Sequence, residues 1–332
     1  MGTKTTTKRK PGTGAGPLRL AVTGCQTLIG SGVLAALDRL GPVGRVVVFD
    51  LQPPDTADPR VAFHQLDLTR PGADAEMAEV MAEERVSTVL HAAFLWDAVR
   101  DQGWAHELES VGTDYVLAAA IAARVTKVVV TSSVVVYGVS HRLPVPIPED
   151  APLNGERTLP PFRDKVAAER AVARFAAAHP EVCTTVLRCA IVLGPSVHRI
   201  ISRTLHRPVV PTLMGFDPLV QFVHPDDVIE AFLLCLRGEH PGVFNLAPPD
   251  AMPLSDVIRA GGRTALPLPH VLAIPGAGLL WAAGIGDLHP SYLSMLRFSV
   301  VMDGTRARAA LGFVPRRTRD TVAAFFGREG AP

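Results

Sequence analysis

The chain has 332 residues, of which 48% are apolar and 20% charged, and its formal net charge is +1. This length allows one large α/β domain with a smaller lobe, or two domains. A near-neutral charge gives no long-range attraction to nucleic acid or to an anionic membrane, so neither is expected as a partner. Charge is concentrated only in residues 1–16, which we expect to be a disordered basic tail. An RNA- or membrane-binding arm is the alternative for this tail.

Cellular location follows from the tail and the cysteines. The tail has no apolar stretch typical of a signal peptide. The four cysteines show no C-x-x-C spacing, which favours a reduced cytoplasmic protein without disulfides. The eleven histidines include no H-E-x-x-H motif and no serine lies in a G-x-S-x-G motif, so neither a metal site nor a serine hydrolase is expected.

The stretch Leu18–Gly32 has the pattern of a strand, a turn and a helix. An apolar run from Leu18 to Val22 breaks at Thr23-Gly24, and a helical apolar pattern resumes at Leu28. Such a turn directs backbone N–H groups at a phosphate. The predicted contacts of a dinucleotide here are Gly24, Thr27, Leu28, Ile29 and Gly30.

An acidic residue ends the second predicted strand. Asp50 closes the run Arg45–Asp50, 26 residues after Gly24. A carboxylate there can accept hydrogen bonds from the adenosine ribose and would repel a 2′-phosphate, so it favours NAD over NADP. The alternative is a strand-end residue that only caps the turn into Gln52.

The next strands predict the fold. Valine-rich runs alternate with helical stretches of 10–15 residues, which is typical of a parallel sheet covered on both faces. We therefore expect an α/β fold with a doubly wound parallel sheet, the Rossmann type, whose ligand crevice lies at the carboxyl ends of the strands. Small side chains at Ala92 and Ala93 after the fourth strand would let a ligand lie across it. The predicted strands are 18–22, 45–50, 61–66, 86–92, 127–133, 182–192 and 243–246, and the clearest predicted helices are 73–84, 104–123, 165–178 and 225–236.

The predicted sheet divides the chain. Residues 17–193 form the expected NAD(P)-binding domain and 194–332 mainly a smaller substrate lobe, with 221–246 returning to the sheet. The segment 266–286 carries no formal charge and is long enough to span a membrane. Its prolines and glycines favour a buried or lid helix instead, so no integral membrane span is expected. A surface that contacts membrane or a lipid-like substrate is the alternative.

Taken in order, these motifs resemble the extended branch of the short-chain dehydrogenase/reductase superfamily, the NAD-dependent epimerase/dehydratase-like enzymes. The matching pieces are Thr23-Gly24 with Gly30, Asp50, Asp67-Leu68, HAA at 91–93, Gly112-Thr113, SSVVVYG at 132–138, FVHPDDV at 222–228, GVFNLA at 242–247 and DGTRARAALGFVP at 303–315. The resemblance implies NAD as cofactor, Asp67 and Leu68 as adenine-side contacts, and a homodimer formed through helices 104–123 and 163–178.

The chain departs from the family at the catalytic tyrosine. The family uses a Tyr-x-x-x-Lys pair, in which the tyrosine moves a proton and the lysine lowers its pKa and holds the nicotinamide ribose. Lys165 fits the lysine, but Pro161 stands in place of the tyrosine, with Phe162 beside it. Ser133 matches the serine that binds the substrate oxygen. Ser133 and Lys165 are thus the predicted catalytic residues, and Lys165 also a cofactor contact.

Both assignments have a plainer alternative. Ser133 could only satisfy backbone groups at a strand end, and Lys165 could be a solvated first-turn lysine. We expect Tyr137 to be a packed residue after the fifth strand rather than an acid. Without the family tyrosine, the proton would come from Ser133, a water held by Lys165, or a lobe or loop side chain such as Asp97 or His198.

Two further departures concern the turn and the substrate. Thr27 replaces the middle glycine of T-G-x-x-G-x-x-G, which restricts how closely a pyrophosphate can approach. Val220 and Ile191 stand where nucleotide-sugar members often carry Arg and Asn. These apolar replacements favour a relatively apolar small-molecule substrate.

Three hypotheses for the function follow. The first is an NAD(P)-dependent enzyme, an epimerase, dehydratase or reductase that acts on a hydroxyl or carbonyl carbon. The second is a catalytically inactive dinucleotide-binding sensor or partner-binding module, prompted by the missing tyrosine. The third is a redox-neutral isomerase or lyase that reuses the crevice.

Overall fold

The computed structural model describes residues 16–285 and 288–327. All but one residue of the predicted basic tail, and Gly286 at the end of the apolar segment, lie outside these ranges. The strands are β1 Leu18–Thr23, β2 Val43–Asp50, β3 Val61–Gln65, β4 Thr88–His91, β5 Lys127–Ser133, β6 Cys183–Cys189, β7 Ile191–Val192, β8 Val209–Leu213, β9 Leu219–Val220, β10 Phe222–Val223, β11 Gly242–Leu246, β12 Met252–Pro253 and β13 Thr264–Leu268.

Helices connect these strands. The α-helices are α1 Leu28–Ala35, α2 Ala73–Glu83, α3 Gln102–His106, α4 Gly112–Ala122, α5 Gly155–Thr158, α6 Arg163–Ala178, α7 Ile200–His206, α8 Pro225–Arg237, α9 Leu254–Ala260, α10 His270–Ala282, α11 Pro290–Met295, α12 Thr305–Leu311 and α13 Thr318–Phe325. Short 3₁₀ turns lie at Leu37–Leu40, Val134–Tyr137 and Pro160–Phe162, and a π-helical turn at Glu107–Val111.

The central sheet has seven strands in the order β11-β6-β5-β4-β1-β2-β3, and every pair in it is parallel. The chain runs outward from β1 in one direction and then from β4 in the other. The order therefore reverses between β1 and β4, which is the point where this class of sheet opens a crevice at its carboxyl edge. The predicted doubly wound parallel sheet is confirmed.

Apolar strands explain why helices cover both faces. Successive residues of a strand point to opposite faces. In β1, Leu20 and Val22 face a core shared with α1 and α8, whereas Ala21 faces a second core shared with α2, α4 and α6. All three are fully buried, so β1 has no face in water.

Two predicted elements differ in detail. The predicted helix 104–123 is interrupted by the π-helical turn Glu107–Val111, which separates α3 from α4. The predicted strand 182–192 ends at Cys189 in the central sheet. Residues Ile191–Val192 instead pair with Phe222–Val223, because the chain turns there into the lobe.

The lobe is built from short strand pairs and helices. Strands β8 and β13 pair in parallel, and β9 and β12 pair antiparallel. A separate small core, with members such as Leu205, Phe222, Leu254 and Phe325, holds these pieces together. The lobe therefore has an apolar core of its own, apart from the two cores of the central sheet.

The apolar segment forms helix α10, but that helix is not buried. Its side chains are half-buried or exposed, and Leu272 and Leu279 are 70% and 72% exposed. The prediction of a helix is right, whereas burial is wrong because α10 packs mainly on α11. Over residues 16–285 and 288–327, every helix is too short or too polar to cross a membrane.

Candidate active site

The turn after β1 has the geometry expected of a phosphate site. Gly24 has φ +78°, a conformation that favours glycine. Thr27 caps α1, since its Oγ1 accepts a hydrogen bond from Gly30 N at 3.1 Å and donates one to Gly24 O at 2.8 Å. The N–H groups of Leu28 and Ile29, the first two helical residues, have no partner within the helix, and N–H groups in this position can bind an anion.

Thr27 thus caps the helix with a side chain that glycine lacks. Its hydroxyl accepts from the Gly30 N–H group in the first turn, so that group is not available to a phosphate. The two remaining glycines pack too tightly for any side chain. A Cβ on Gly30 would lie 2.1 Å from Gly24 O, and one on Gly24 would lie 2.4 Å from Ala93 N. The ends of β1 and β4 therefore meet at this turn.

Asp50 lies beside the same turn. Its Oδ2 accepts a hydrogen bond from Gln26 N at 3.2 Å, and its Oδ1 accepts one from Leu51 N at 2.7 Å. The residue is only half-buried, so its outer lone pairs remain accessible. With the N–H groups of the turn, this acid fits the adenosine half of a dinucleotide.

Two predicted adenine-side residues also lie at this edge of the sheet. Asp67 accepts hydrogen bonds from Thr69 N at 2.9 Å and Thr69 Oγ1 at 2.7 Å, so its carboxylate holds a turn. Leu68 is buried against Gly112 of α4. Ala92 is buried and Ala93 half-buried at the end of β4. Their contacts with a cofactor stay predictions.

Lys165 lies at the start of α6, as predicted, but its ammonium group is buried and already bonded to protein groups. It forms a buried ion pair with Glu109 of the π-helical turn and donates a hydrogen bond to Leu95 O. The Phe94 ring covers it, with Nζ 3.4 Å from the ring centroid. Burial lowers the pKa of Lys165, and the Glu109 carboxylate opposes that shift. A solvated lysine, the plainer alternative, is therefore wrong.

Ser133 lies at the end of β5 and lines a different cavity from Lys165. This cavity, of about 50 Å³, extends from Leu28 at the nucleotide turn to Arg199 and Tyr292 in the lobe. Its lining also includes Trp96, Asp97, Phe162, Ile191, Ile201 and Met295. Lys165 lines a small neighbouring cavity with His91 and Thr113. The two predicted catalytic residues thus line different cavities, and their roles stay predictions.

Tyr292 enters the Ser133 cavity from the lobe. Its hydroxyl accepts a hydrogen bond from Ala98 N at 3.0 Å and donates one to Asp97 Oδ1 at 3.2 Å. Burial, with the nearby Asp97 charge, raises the pKa of Tyr292. Of the two candidates weighed from sequence, Asp97 lines this cavity, whereas His198 is exposed and does not.

Sequence reasoning missed Tyr292 and Arg199. Tyr292 is one of only three tyrosines, which is the single signal that could have drawn attention to it. Arg199 is the neighbour of His198, and its guanidinium lies 5.8 Å from the Trp96 ring centroid. Burial lowers the pKa of Arg199, and the Asp97 charge opposes this.

A larger apolar cavity adjoins this site. It has a volume of about 100 Å³, and apolar side chains make up nearly all of its lining. Ile191 and Val220, the two residues that replace polar family positions, both line it. The apolar cavity and the Ser133 cavity share Ile191, Ile201, Tyr292 and Met295, so they are parts of one cleft.

Two other polar groups near the sheet are structural. His91 is buried between Thr23 Oγ1, 2.7 Å from its Nδ1, and Thr113 Oγ1, 3.0 Å from its Nε2. Burial lowers its pKa to about 4, so the ring is neutral. Tyr137 is buried and hydrogen-bonded to Asn245 and Arg188, both at 2.7 Å. Its predicted packing role is consistent with these contacts.

Comparison with known proteins assigns the family. Residues 20–247 match the NAD dependent epimerase/dehydratase family. The chain therefore belongs to this family, which confirms the resemblance inferred from sequence and the expectation of an NAD-dependent enzyme. Among residues 16–285 and 288–327, no cluster of three or more His, Cys, Asp or Glu side chains could hold a metal ion.

Individual relatives agree with the family match. The chain is 31% identical to the uncharacterized protein Rv0501 of Mycobacterium tuberculosis over 316 residues, which cover 93% of this chain and 82% of the relative. It superposes on MoeE5 in complex with UDP-glucuronic acid and NAD (TM-score 0.70, 24% identity, 93% and 98% coverage). It also superposes on DesIV, a dTDP-glucose 4,6-dehydratase of Streptomyces venezuelae with NAD bound (TM-score 0.71, 22% identity, 94% and 96% coverage). At these identities the two structures show the fold alone.

Proposed function

We propose that this protein transfers a hydride between NAD and the hydroxyl- or carbonyl-bearing carbon of a small molecule with an apolar body. One observation carries this proposal. The Ser133 cavity begins at Leu28 beside the nucleotide turn and merges, through Ile191, Ile201, Tyr292 and Met295, with the apolar cavity of the lobe. A cofactor and a substrate could therefore meet at Ser133.

The cofactor half of the proposal is supported by the chain's own groups. The turn at Gly24 and the first N–H groups of α1 would hold the pyrophosphate, and Asp50 would bind the adenosine ribose. Both MoeE5 and DesIV, which share the fold, contain NAD. Bound in this way, NAD would supply the hydride acceptor or donor. Ser133 would orient the substrate oxygen toward it by a hydrogen bond.

The substrate half is supported by the cavity walls. MoeE5 binds UDP-glucuronic acid, whose diphosphate and sugar need many polar partners. Here Ile191 and Val220 present hydrocarbon, and desolvating a diphosphate against them would leave its charge unpaired. An alicyclic or aryl group would instead gain free energy by leaving water.

A substrate panel tests the proposal. NADH absorbance at 340 nm is followed with NAD⁺ and secondary alcohols that carry apolar groups, and with NADH and the matching ketones, beside UDP-glucose and UDP-glucuronic acid. We expect turnover of apolar members and none of the nucleotide sugars. Val220→Arg should raise KM for the apolar substrate at least tenfold, whereas Val314→Arg, at a position that is 86% exposed, should not. Turnover confined to the nucleotide sugars contradicts the proposal.

An inactive dinucleotide-binding module is the second candidate. The observation that favours it is the buried Lys165–Glu109 pair. The lysine ammonium already donates to Glu109 and to Leu95 O, which leaves at most one of its three N–H groups for a ribose. Isothermal titration calorimetry that gives a micromolar Kd for NAD⁺, with no turnover across the panel, would support this candidate over the enzyme.

A further inference from the structure

We propose that Tyr292 and Asp97 form a two-residue proton relay that replaces the tyrosine missing at position 161. The inference rests on the proposed function, since the relay serves hydride transfer at the Ser133 cavity. It adds a phenol from the lobe to a site in which the predicted catalytic residues all came from the sheet and α6.

Tyr292 places its ring beside the position where the family carries its tyrosine. Its ring stands edge-on to the Phe162 ring, with centroids 6.0 Å apart and an interplanar angle of 84°. Phe162 lies three residues before Lys165 and next to the position where the family carries its tyrosine. Both rings line the Ser133 cavity. A phenol is thus present beside the site, although it comes from helix α11.

The hydrogen bonds of the Tyr292 hydroxyl give a proton a path to Asp97. Ala98 N donates to the phenol oxygen, which fixes its orientation, and the phenol proton points at Asp97 Oδ1. One lone pair of the oxygen stays available for a substrate hydroxyl in the cavity. A proton that arrives on the phenol oxygen can therefore leave along the existing hydrogen bond to Asp97.

A third observation indicates that the cavity takes a polar ligand atom. The Trp96 indole Nε1 is buried and has no hydrogen-bond partner in the described part of the chain. An indole N–H that is kept from water without an acceptor is costly unless a ligand supplies one. Trp96 precedes Asp97, and both line the same cavity. A substrate oxygen or carboxamide there would satisfy it.

In the proposed reaction, hydride transfer and proton transfer balance, and no Tyr292 phenolate accumulates. In the oxidative direction the substrate C–H bond breaks and its hydride passes to the nicotinamide of NAD⁺. The substrate O–H proton moves to the Tyr292 oxygen while the phenol proton moves to Asp97, which leaves a carbonyl, NADH and a neutral carboxylic acid. Reduction runs the same steps backward. Burial raises the pKa of Tyr292, which disfavours a phenolate and is consistent with a relay.

Two cations interact with the Asp97 carboxylate. Arg199 is half-buried and lines the same cavity as Asp97. The Asp97 charge raises the pKa of Arg199 and of Lys165, against the effect of burial on both.

Kinetics of three variants test the relay. Tyr292→Phe removes the phenol and keeps the ring, and Asp97→Asn keeps an acceptor for the phenol but cannot take its proton. Each should lower kcat about 100-fold for the best alcohol of the panel, the low end of general acid–base catalysis. The double variant should fall no further, since the two groups act as a unit. Tyr115→Phe on α4 is the matched control.

The readouts separate chemistry from structure. The Kd for NAD⁺ and the melting temperature are measured for every variant, and each should stay close to the wild-type value while kcat falls. A Tyr292→Phe variant that keeps kcat within threefold of an active wild type overturns the relay and leaves the proposed function intact. A wild type that binds NAD⁺ but turns over no member of the panel overturns both.

Discussion

The rings of Phe162 and Tyr292 meet edge-to-face across the cleft, 6.0 Å apart between centroids. One belongs to the short 3₁₀ turn that leads into α6, and the other to helix α11 of the lobe. The contact joins the sheet domain to the lobe at the place where the family tyrosine is missing. Under the proposed relay, a phenol from far along the chain takes the part of the missing tyrosine.

Asp50 should set the preference for NAD. Asp50→Asn removes the charge and keeps one of the two side-chain oxygens that accept from Gln26 N and Leu51 N. We expect the Kd for NAD⁺ to rise about tenfold, because a hydrogen bond to a charged group contributes about 1.5 kcal/mol or more. The Kd for NADP⁺ should fall, since repulsion of the 2′-phosphate is relieved. Fluorescence titration with both cofactors checks this.

The control for this prediction is Asp38→Asn, whose side chain is 90% exposed in the turn after α1. It should change neither Kd. An Asp50→Asn variant with the wild-type ratio of the two affinities would show that this carboxylate only caps its own turn, the alternative weighed from the sequence.

Thr27 should stabilise the protein through its cap. Thr27→Ala removes the hydroxyl that accepts from Gly30 N, and loss of such a cap costs ~1 kcal/mol in the free energy of unfolding. Thr27→Ser retains the hydroxyl and should be near wild type. Urea denaturation followed by circular dichroism measures both, and equal stabilities for the two variants would argue against the cap.

The buried pair of Lys165 and Glu109 should be strongly coupled. Lys165→Met leaves the Glu109 carboxylate buried without its cation, which costs ~3–5 kcal/mol. Removing both charges, in Lys165→Met with Glu109→Leu, should restore a large part of that loss. A double-mutant cycle on the free energy of unfolding checks this. Additive losses would mean that the pair is not coupled.

His91 should make stability depend on pH. Its pKa is near 6.5 in the unfolded chain and about 4 in the folded one, because burial excludes the charged form. Between these values the unfolded state binds more protons. The free energy of unfolding should therefore fall by up to ~3 kcal/mol as pH drops from about 6.5 to about 4.

The matched variant for this prediction is His91→Gln, which cannot take up a proton. Its urea-unfolding free energies at pH 7.5, 6.0, 5.0 and 4.5 should decline less steeply than those of the wild type. Parallel profiles for the two proteins would exclude His91 as the source of the slope.

Local pattern was sufficient to predict the sheet but not the lobe. The valine runs gave β5 with its observed bounds and the helical pattern placed α6 within two residues, because each is a regular element with a continuous buried face. The short strands β8 and β13 are paired only through tertiary contact across a long intervening stretch, so no local pattern indicates the pairing.

In the candidate site, too, the residues in local motifs were predicted and those placed by tertiary packing were not. The turn at Gly24 and the acid at Asp50 are local motifs with fixed spacing, and sequence found both. The Glu109 partner of Lys165 depends on a π-helical turn, and Tyr292 reaches the cleft only because α11 packs against Phe162. These relationships are set by packing between distant elements, which sequence spacing does not record.

The most direct test of the account is a crystal structure of the protein grown with NAD⁺. We expect the pyrophosphate at the N–H groups of Leu28 and Ile29, the adenosine ribose on Asp50, and the nicotinamide ring in the cavity between Ser133 and Tyr292. A structure in which NAD⁺ binds with its nicotinamide outside that cavity, or in which the turn holds no dinucleotide, would contradict the account.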